Sequence, residues 1–301
     1  MTPAPVLVGY TADERGDDAL ALADLYARAT GAPLTVANVR PPGWPARGPG
    51  SVDAEWTAYL REHSAEVLDL AARRLGDRAD TDFVSHPHRG SGRGLAEAAR
   101  AAGAGLIVIG SAPGGPRGGV AVGSTADQLL HGAPVPVLLA PVGFADAPPP
   151  RLERLTVAYR RGREDPLPGA ADLAAALDAP VRLVSLVPRP AGLPARFRRG
   201  AQDAGDVVAR ALAAAEDDLA DAAARLRDRL PAHLEITTET AEGAGIGAAL
   251  RSLALLPGEL LACQSSHDGP IRKVFLGESS GKIVRAAPCP IVVLPRGNPP
   301  E

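Results

Sequence analysis

Aromatic residues are scarce in this chain: Phe, Trp and Tyr make up 3% of its 301 residues, so a large core must be built from Ala, Val and Leu. Cysteine is rarer still. Two residues, Cys263 and Cys289, cannot make the disulfide framework that staples small secreted domains. No run approaches the roughly 18 apolar residues of a membrane-crossing helix. The opening MTPAPVLVGY lacks a basic region followed by a cleavable apolar one. An excess of positive charge is missing too. Lys and Arg total 32 against 35 Asp and Glu, a formal net charge of −3. A general nucleic-acid binder would need a basic stripe to neutralise phosphates. These absences argue against a membrane span, a secreted disulfide scaffold and a nucleic-acid partner, and the expectation is a cytoplasmic protein.

What is present is an ordinary globular composition, with 46% hydrophobic residues and a high but not disorder-like share of Gly (33) and Pro (30). The length exceeds a typical domain of about 100–200 residues and suits two. The chain in fact repeats itself. Val6-Leu-Val-Gly-Tyr10 returns as Leu155-Thr-Val-Ala-Tyr159, and Ala32–Val39 returns as Ala179–Leu186. Ala133-Pro-Val-Pro-Val137 returns as Ala287-Pro-Cys-Pro-Ile291. The offsets of 149, 147 and 154 residues are far too long for a solenoid and indicate duplication of one domain. The expected organisation is residues 1–143, a proline-rich linker at 144–153 whose composition favours an extended, semi-rigid form, and residues 154–301. The halves differ in charge: residues 1–150 carry net −4 and residues 151–301 net +1.

Each half alternates short apolar runs with longer amphipathic ones. Strands are expected at Pro5–Gly9, Leu34–Val39, Asp82–Ser85, Leu106–Ile109 and Val135–Ala140, and helices at Asp17–Thr30, Ala54–Gly76, Gly94–Ala102 and Ser124–His131. The second half repeats the order, with strands at Leu155–Tyr159, Val181–Val187, Glu235–Thr238, Leu260–Cys263 and Ile291–Leu294. Apolar runs of this length between helices predict buried parallel strands covered on both faces. That is a doubly wound α/β sheet, whose ligands bind beyond the carboxyl ends of the strands.

Several motifs fail on their chemistry. Gly277-Glu-Ser-Ser-Gly281 spells a nucleophile elbow, yet Ser279 is followed only by Glu301 as an acid and by no histidine, whereas hydrolases need both. The run Gly277–Lys282 is one residue short of a Walker loop, and Ile283 stands where Ser or Thr should hold Mg²⁺. Gly90-Ser-Gly92-Arg-Gly94 and Gly243-Ala-Gly245-Ile-Gly247 have the wrong spacing for a dinucleotide fingerprint. His86 and His88 lack a nearby third ligand and are expected to be solvated loop residues at the edge of a pocket; no metal is expected. Cys263 and Cys289 are expected as separate buried thiols.

The most informative segment runs from Leu106 to Thr125. A buried strand ends at Gly110, four further glycines follow in the loop, and Gly123-Ser-Thr starts a short helix. Glycines let backbone N–H groups curl around an anion, and the positive end of a helix favours a phosphate. Arg117 could lend a charge-assisted contact. The plainer alternative is a mobile loop with an ordinary serine cap.

With these pieces in place, nearly the whole chain resembles the universal stress protein family in its tandem two-domain form. That family's loop follows the pattern G-x2-G-x9-G-[ST] after the fourth strand. Gly110, Gly123 and Ser124 match its first, third and fourth positions, and both Ala-Pro-x-Pro segments look like the approach to its final strand. The resemblance implies two tandem doubly wound, Rossmann-like domains of the adenine nucleotide alpha hydrolase-like type. Each would be a five-stranded parallel sheet of order 3-2-1-4-5, and the two would pair within one molecule through their last strands. It implies a stress-related role without general enzymatic turnover, with ATP bound in some members and no nucleotide in others. Carried over by position, Gly9, Tyr10 and Val39 fall at adenosine contacts, and Ile109, Ala112 and Thr125 flank the phosphates. Pro113 stands where the second glycine should be, and Thr11 replaces the usual acid after the first strand. Trp44 is placed either to stack on a base or, as the favoured alternative, to pack on Pro42 or Pro45.

The second half departs further: Gln264 and His267 replace the early glycines, Arg160 takes the acidic position, and Glu278 follows Gly277. Glu278 is expected to act as a built-in anion in place of a ligand. The resulting expectation is a non-catalytic stress protein that binds an adenine nucleotide, ATP, in its first half, with the second half as pseudo-dimer partner. The alternative is a nucleotide-free interaction module whose protein partner is unknown. A homodimer of the tandem unit, and the role of residues 188–205, are left open.

Overall fold

In the computed structural model the described residues are 3–43, 52–162, 165–189, 200–265 and 277–295, with side chains omitted for 52–53 and 200–207. Trp44, His267 and most of the loop at 188–205 lie outside them.

Local chemistry sets the first elements. Strand β1 (Val6–Gly9) leads to helix α1 (Glu14–Thr30), where Asp13 is the N-cap and accepts the Gly16 N–H at 3.0 Å. Gly31 ends α1 in the left-handed conformation, φ 67°, where glycine carries no Cβ penalty. Then follow β2 (Leu34–Arg40), α2 (Val52–Leu75), β3 (Thr81–Pro87), α3 (Ser91–Ala101), β4 (Leu106–Gly110), α4 (Ser124–Leu130) and β5 (Val137–Ala140). Val135, expected in the last strand, is left out, since Pro134 and Pro136 on either side have no N–H to give a ladder. A short 3-10 turn at Phe144–Asp146 opens the joint between the halves. It is pinned by Asp18 of α1, whose buried carboxylate accepts the N–H groups of Gly143 and Ala145 at 2.9 and 2.8 Å.

The second half repeats the series. It runs β6 (Arg154–Ala158), α5 (Leu167–Leu177), β7 (Val181–Pro188), α6 (Gly200–Arg227), β8 (Ile236–Gly243), α7 (Ile246–Ser252), β9 (Glu259–Gln264), α8 (Glu278–Ala286) and β10 (Ile291–Leu294). All the strands join one ten-stranded sheet of order β3-β2-β1-β4-β5-β10-β9-β6-β7-β8. Each half is therefore parallel with order 3-2-1-4-5, as the family resemblance implies. The halves meet through an antiparallel pairing of β5 with β10, in the register Leu139↔Ile291, Leu138↔Val292 and Val137↔Val293. All six of these side chains are buried. Burying each stabilises by about 1.5–3 kcal/mol.

Because successive strand residues face opposite ways, the sheet has two apolar faces. One carries Val6, Val8, Leu138 and Val157 under α1, α2, α5 and α6. The other carries Leu7, Ile107, Leu139 and Val293 under α3, α4, α7 and α8. Each core runs unbroken across both halves. Small helix residues such as Ala19, Ala23 and Ala27, all fully buried, let α1 approach the sheet closely, which is how a core poor in aromatics fills its volume. Among the described residues no helix is long and apolar enough to cross a membrane.

Candidate functional site

Beyond the carboxyl ends of β1, β2 and β4 lies a cavity of about 310 Å³, within the usual size range of small-ligand sites. Its floor is the strand ends themselves: Gly9 of β1 and Tyr10 directly after it, Ala37 and Val39 from β2, Ile109 and Gly110 from β4. One wall is the start of α1, with Thr11, Arg15 and Gly16. The other is the start of α3 and α4, with Ser91, Leu95, Ser124 and Thr125.

The backbone at this end is tightly specified. Tyr10 donates its N–H to the Ala37 carbonyl at 2.9 Å, and its own carbonyl accepts from Asn38 Nδ2 at 3.0 Å. Asn38 is in turn held by Ser64 at 2.8 Å. The Tyr10 ring is buried, and its hydroxyl donates to Asp17 at 3.1 Å. Burial first, and then the Asp17 charge, push this phenol above its ordinary range. Tyr10 therefore meets the cavity through its backbone.

Asp13 organises the α1 wall. Besides capping the helix it accepts from Arg15 Nε and the Thr11 hydroxyl, at 3.0 and 2.8 Å. Burial would raise its pKa, but these donors outweigh burial and hold the carboxyl below the usual range. The Thr11 hydroxyl is thus engaged by the protein. Across the cavity, Ser91 and Thr125 share a hydrogen bond of 2.6 Å, joining the first turns of α3 and α4.

The sequence-derived site residues fall into two groups. Gly9, Tyr10, Thr11, Val39, Ile109, Gly110, Ser124 and Thr125 line this cavity, whereas Ala112, Pro113 and Gly123 do not. Those three lie in the glycine loop, which is folded on itself and on the chain after β5. Ala112 donates to Ala121 O at 2.9 Å, Gly118 to Val142 O at 2.9 Å, and Val142 to Gly119 O at 3.0 Å. The Ser111 hydroxyl donates to Ala140 O at 2.9 Å. Arg117, expected to reach an anion, is instead paired with Asp146. Gly123 precedes α4, and a Cβ there would stand 2.8 Å from that of Ala112.

Arg15, Gly16, Ala37, Ser91 and Leu95 were not expected at the site. Starting α1 at Asp17 put Arg15 and Gly16 in a loop. The missed signal was Asp13, a strong N-cap residue directly before a helix-forming run.

Other sequence features also find their places. His86 and Pro87 end β3, so His86 is a strand residue; it lies 3.1 Å from Glu97, with His88 3.6 Å from the same carboxylate. The hydrogen bond from His86 holds Glu97 below the usual carboxylate range. Among the described residues no group of His, Cys, Asp or Glu is arranged to hold a metal ion. Cys263 and Cys289 are free and buried, and burial pushes both thiols up to about 12. Glu278 does not fill a ligand position. Its carboxylate is 84% exposed and paired with Lys282 at 2.6 Å, because the first helical turn of α8 turns it outward. The turn is stabilised instead by Ser280, whose hydroxyl oxygen accepts the Gly277 N–H at 3.1 Å.

Comparison with known proteins agrees with this architecture. The family model described as the Universal stress protein family matches the chain twice, over residues 4–141 and 164–295. Universal stress proteins of Mycobacterium tuberculosis and Mycobacterium bovis are 33% identical over 96% of this chain and 99% of their own length. Among solved structures, a universal stress protein from Archaeoglobus fulgidus aligns with a TM-score of 0.62 at 16% identity, covering 97% of this chain and 98% of its own. A Pseudomonas aeruginosa protein of unknown function aligns at 0.57 and 17% identity, covering 97% and 92%. These structural likenesses concern the fold.

Proposed function

Starting from a chain that belongs to the universal stress protein family in both of its halves, we propose that it is a non-catalytic stress-response protein. In this proposal the N-terminal half binds an adenine nucleotide, and the C-terminal half is its intramolecular partner. One observation carries the proposal. Residues far apart in sequence, from Gly9 to Thr125, converge on one cavity at the carboxyl ends of β1, β2 and β4, where ligands of doubly wound sheets bind. The adenosine part would lie over Gly9, Thr11 and Val39. The phosphates would extend toward Ser124 and Thr125, where the first N–H groups of α4 have no intrahelical acceptor. ATP is the nucleotide proposed.

Two observations favour the alternative, a nucleotide-free interaction module. The Thr11 hydroxyl spends its proton on Asp13, which leaves it only as an acceptor for a ligand, and Arg117 is paired with Asp146 and away from the cavity lining.

Mass spectrometry of protein purified without added nucleotide, followed by calorimetric titration with ATP and AMP, separates the two. The expected result is retained nucleotide or saturable binding of one ATP per chain. No retained ligand and no binding at millimolar ATP would overturn the nucleotide-binding reading and leave the interaction module as the alternative.

A further inference from the structure

The cavity at the carboxyl ends of β1, β2 and β4 is lined mostly by apolar side chains, glycines and neutral hydroxyls. Among the described residues Arg15 is the one charged residue on its lining. It belongs to the α1 wall, and Ser91, Ser124 and Thr125 belong to the opposite wall. A lone cation in an otherwise neutral cavity favours an anionic ligand over a neutral one.

The backbone of Arg15 is seated by close approaches that glycine permits. A Cβ on Gly110 would stand 2.1 Å from the Arg15 carbonyl oxygen, and one on Gly16 would stand 1.8 Å from the Thr11 carbonyl oxygen. The first turn of α1 therefore rests directly on the end of β4 and on the turn that follows β1. The side chain is fixed in its turn by Asp13, whose Oδ2 accepts from Nε at 3.0 Å and from Nη2 at 2.6 Å. Oδ1 of the same carboxylate is taken by the Gly16 N–H and the Thr11 hydroxyl. Both carboxylate oxygens thus meet the protein's own donors, and Asp13 is not on the cavity lining. Only one edge of the guanidinium is used. The other keeps both N–H groups of Nη1 and the second of Nη2, without a partner among the described residues, and the side chain is 43% exposed. A planar fork anchored along one edge, with its remaining donors held in place, suits the oxygens of a phosphate.

We propose that Arg15 is the residue through which this cavity reads phosphate charge: its free edge donates to the phosphates of the bound nucleotide and sets the preference for a nucleotide over the bare nucleoside. The phosphates lie between Arg15 on one wall and the hydroxyls of Ser124 and Thr125 on the other. Asp13 is then a positioning residue that acts through Arg15. This rests on the nucleotide-binding reading above and goes beyond it by assigning the cation of the site, a role that Arg117, paired with Asp146 and off the lining, does not fill.

Calorimetric titration of the full chain with ATP and with adenosine tests this in the native protein, Arg15→Gln and Arg15→Lys. The native chain is expected to bind ATP more tightly than adenosine, with an advantage that shrinks as salt is added. Arg15→Gln, at a part-exposed position whose helix cap Asp13 retains, is expected to cut the ATP-over-adenosine ratio about tenfold. Arg15→Lys, which keeps the charge, is expected to retain more of that ratio than Arg15→Gln. An unchanged ratio in Arg15→Gln, an equal loss of both ligands, or a lysine variant no better than the glutamine one overturns the role of Arg15 and leaves nucleotide binding standing. If the native protein binds neither ATP nor adenosine, the nucleotide-binding reading itself fails, and the role of Arg15 falls with it.

Discussion

The Cα of Gly110 lies directly against the backbone carbonyl of Arg15: a Cβ on Gly110 would stand 2.1 Å from that oxygen. The last residue of β4 and the first turn of α1 are therefore in contact through backbone alone, and this contact forms one corner of the first-half cavity. Gly110→Ala must push α1 away from the sheet. Overpacking of this kind typically costs about 1–3 kcal/mol, to be read from the urea midpoint. Gly118→Ala is the control: φ is 76° and nothing lies within 4 Å, so only left-handed strain of about 1–2 kcal/mol is expected. Nucleotide titration should then show a loss for Gly110→Ala and little change for Gly118→Ala.

Arg117 and Asp146 are 75% and 56% exposed, so their ion pair should contribute little, about 0–1 kcal/mol. Arg117→Ala is expected to leave both the unfolding midpoint and the ATP affinity nearly unchanged. A tenfold loss of ATP affinity in this variant would mean that Arg117 leaves Asp146 to meet the phosphates.

A buried ionic network holds the amino ends of the second-half strands. Glu259, fully buried, accepts from Arg154 at 2.8 Å, from Arg182 at 3.3 Å, from the Leu256 N–H at 3.0 Å and from the Thr156 hydroxyl. Burial alone would raise its pKa, but the hydrogen bonds from Arg154, Leu256 and Thr156 and the Arg182 charge hold it below the ordinary 4.5. A carboxyl whose folded pKa is lowered contributes stability above its unfolded pKa and loses it as the pH falls through the folded value. Stability measured by urea should therefore fall as the solution is acidified below about pH 4.5. Glu259→Ala leaves two guanidinium groups short of a partner and should cost about 3–5 kcal/mol at neutral pH. In that variant the acid-dependent loss should be smaller. An identical acid profile in variant and native protein would assign the loss to other carboxylates.

Cys263 and Cys289 should be inert in the native state. Both are buried with thiols raised to about 12, and only the thiolate attacks a disulfide reagent. Colorimetric thiol titration at neutral pH should find neither group until denaturant is added, and two thiols afterwards. Rapid labelling of the folded protein would show that the β9–β10 region opens readily.

Much of the fold is legible in the chain. The run Leu106-Ile-Val-Ile109 reads as a strand buried on both faces because nothing polar interrupts it, and the repeat of Ala-Pro-x-Pro before β5 and β10 marks the two strands that meet. The site was only partly legible. Gly110, Ser124 and Thr125 stand out by local spacing. Arg15, Ser91 and Leu95 do not, because what brings them to the cavity is the packing of α1 and α3 on the sheet, which leaves no short-range pattern. Arg117 illustrates the same limit from the other side. Its position in a glycine loop suggests an anion, yet the contact it makes depends on where the chain turns after β5.

By itself the sequence determined the duplication, the alternation of buried strands with helices, and the motifs that carry the family resemblance, which in turn implies the strand order of each half. The first two rest on apolar patterning and the motifs on backbone-permissive residues, all of which act within a few positions of themselves. Only the tertiary structure decided which polar groups are left over. It engaged Thr11 and Arg117 within the protein, turned Glu278 out to Lys282, and left Gln264 Oε1 without a donor between the halves. A hydrogen-bond partner is chosen by distance in space, and in this protein the deciding contacts run between segments the chain keeps far apart.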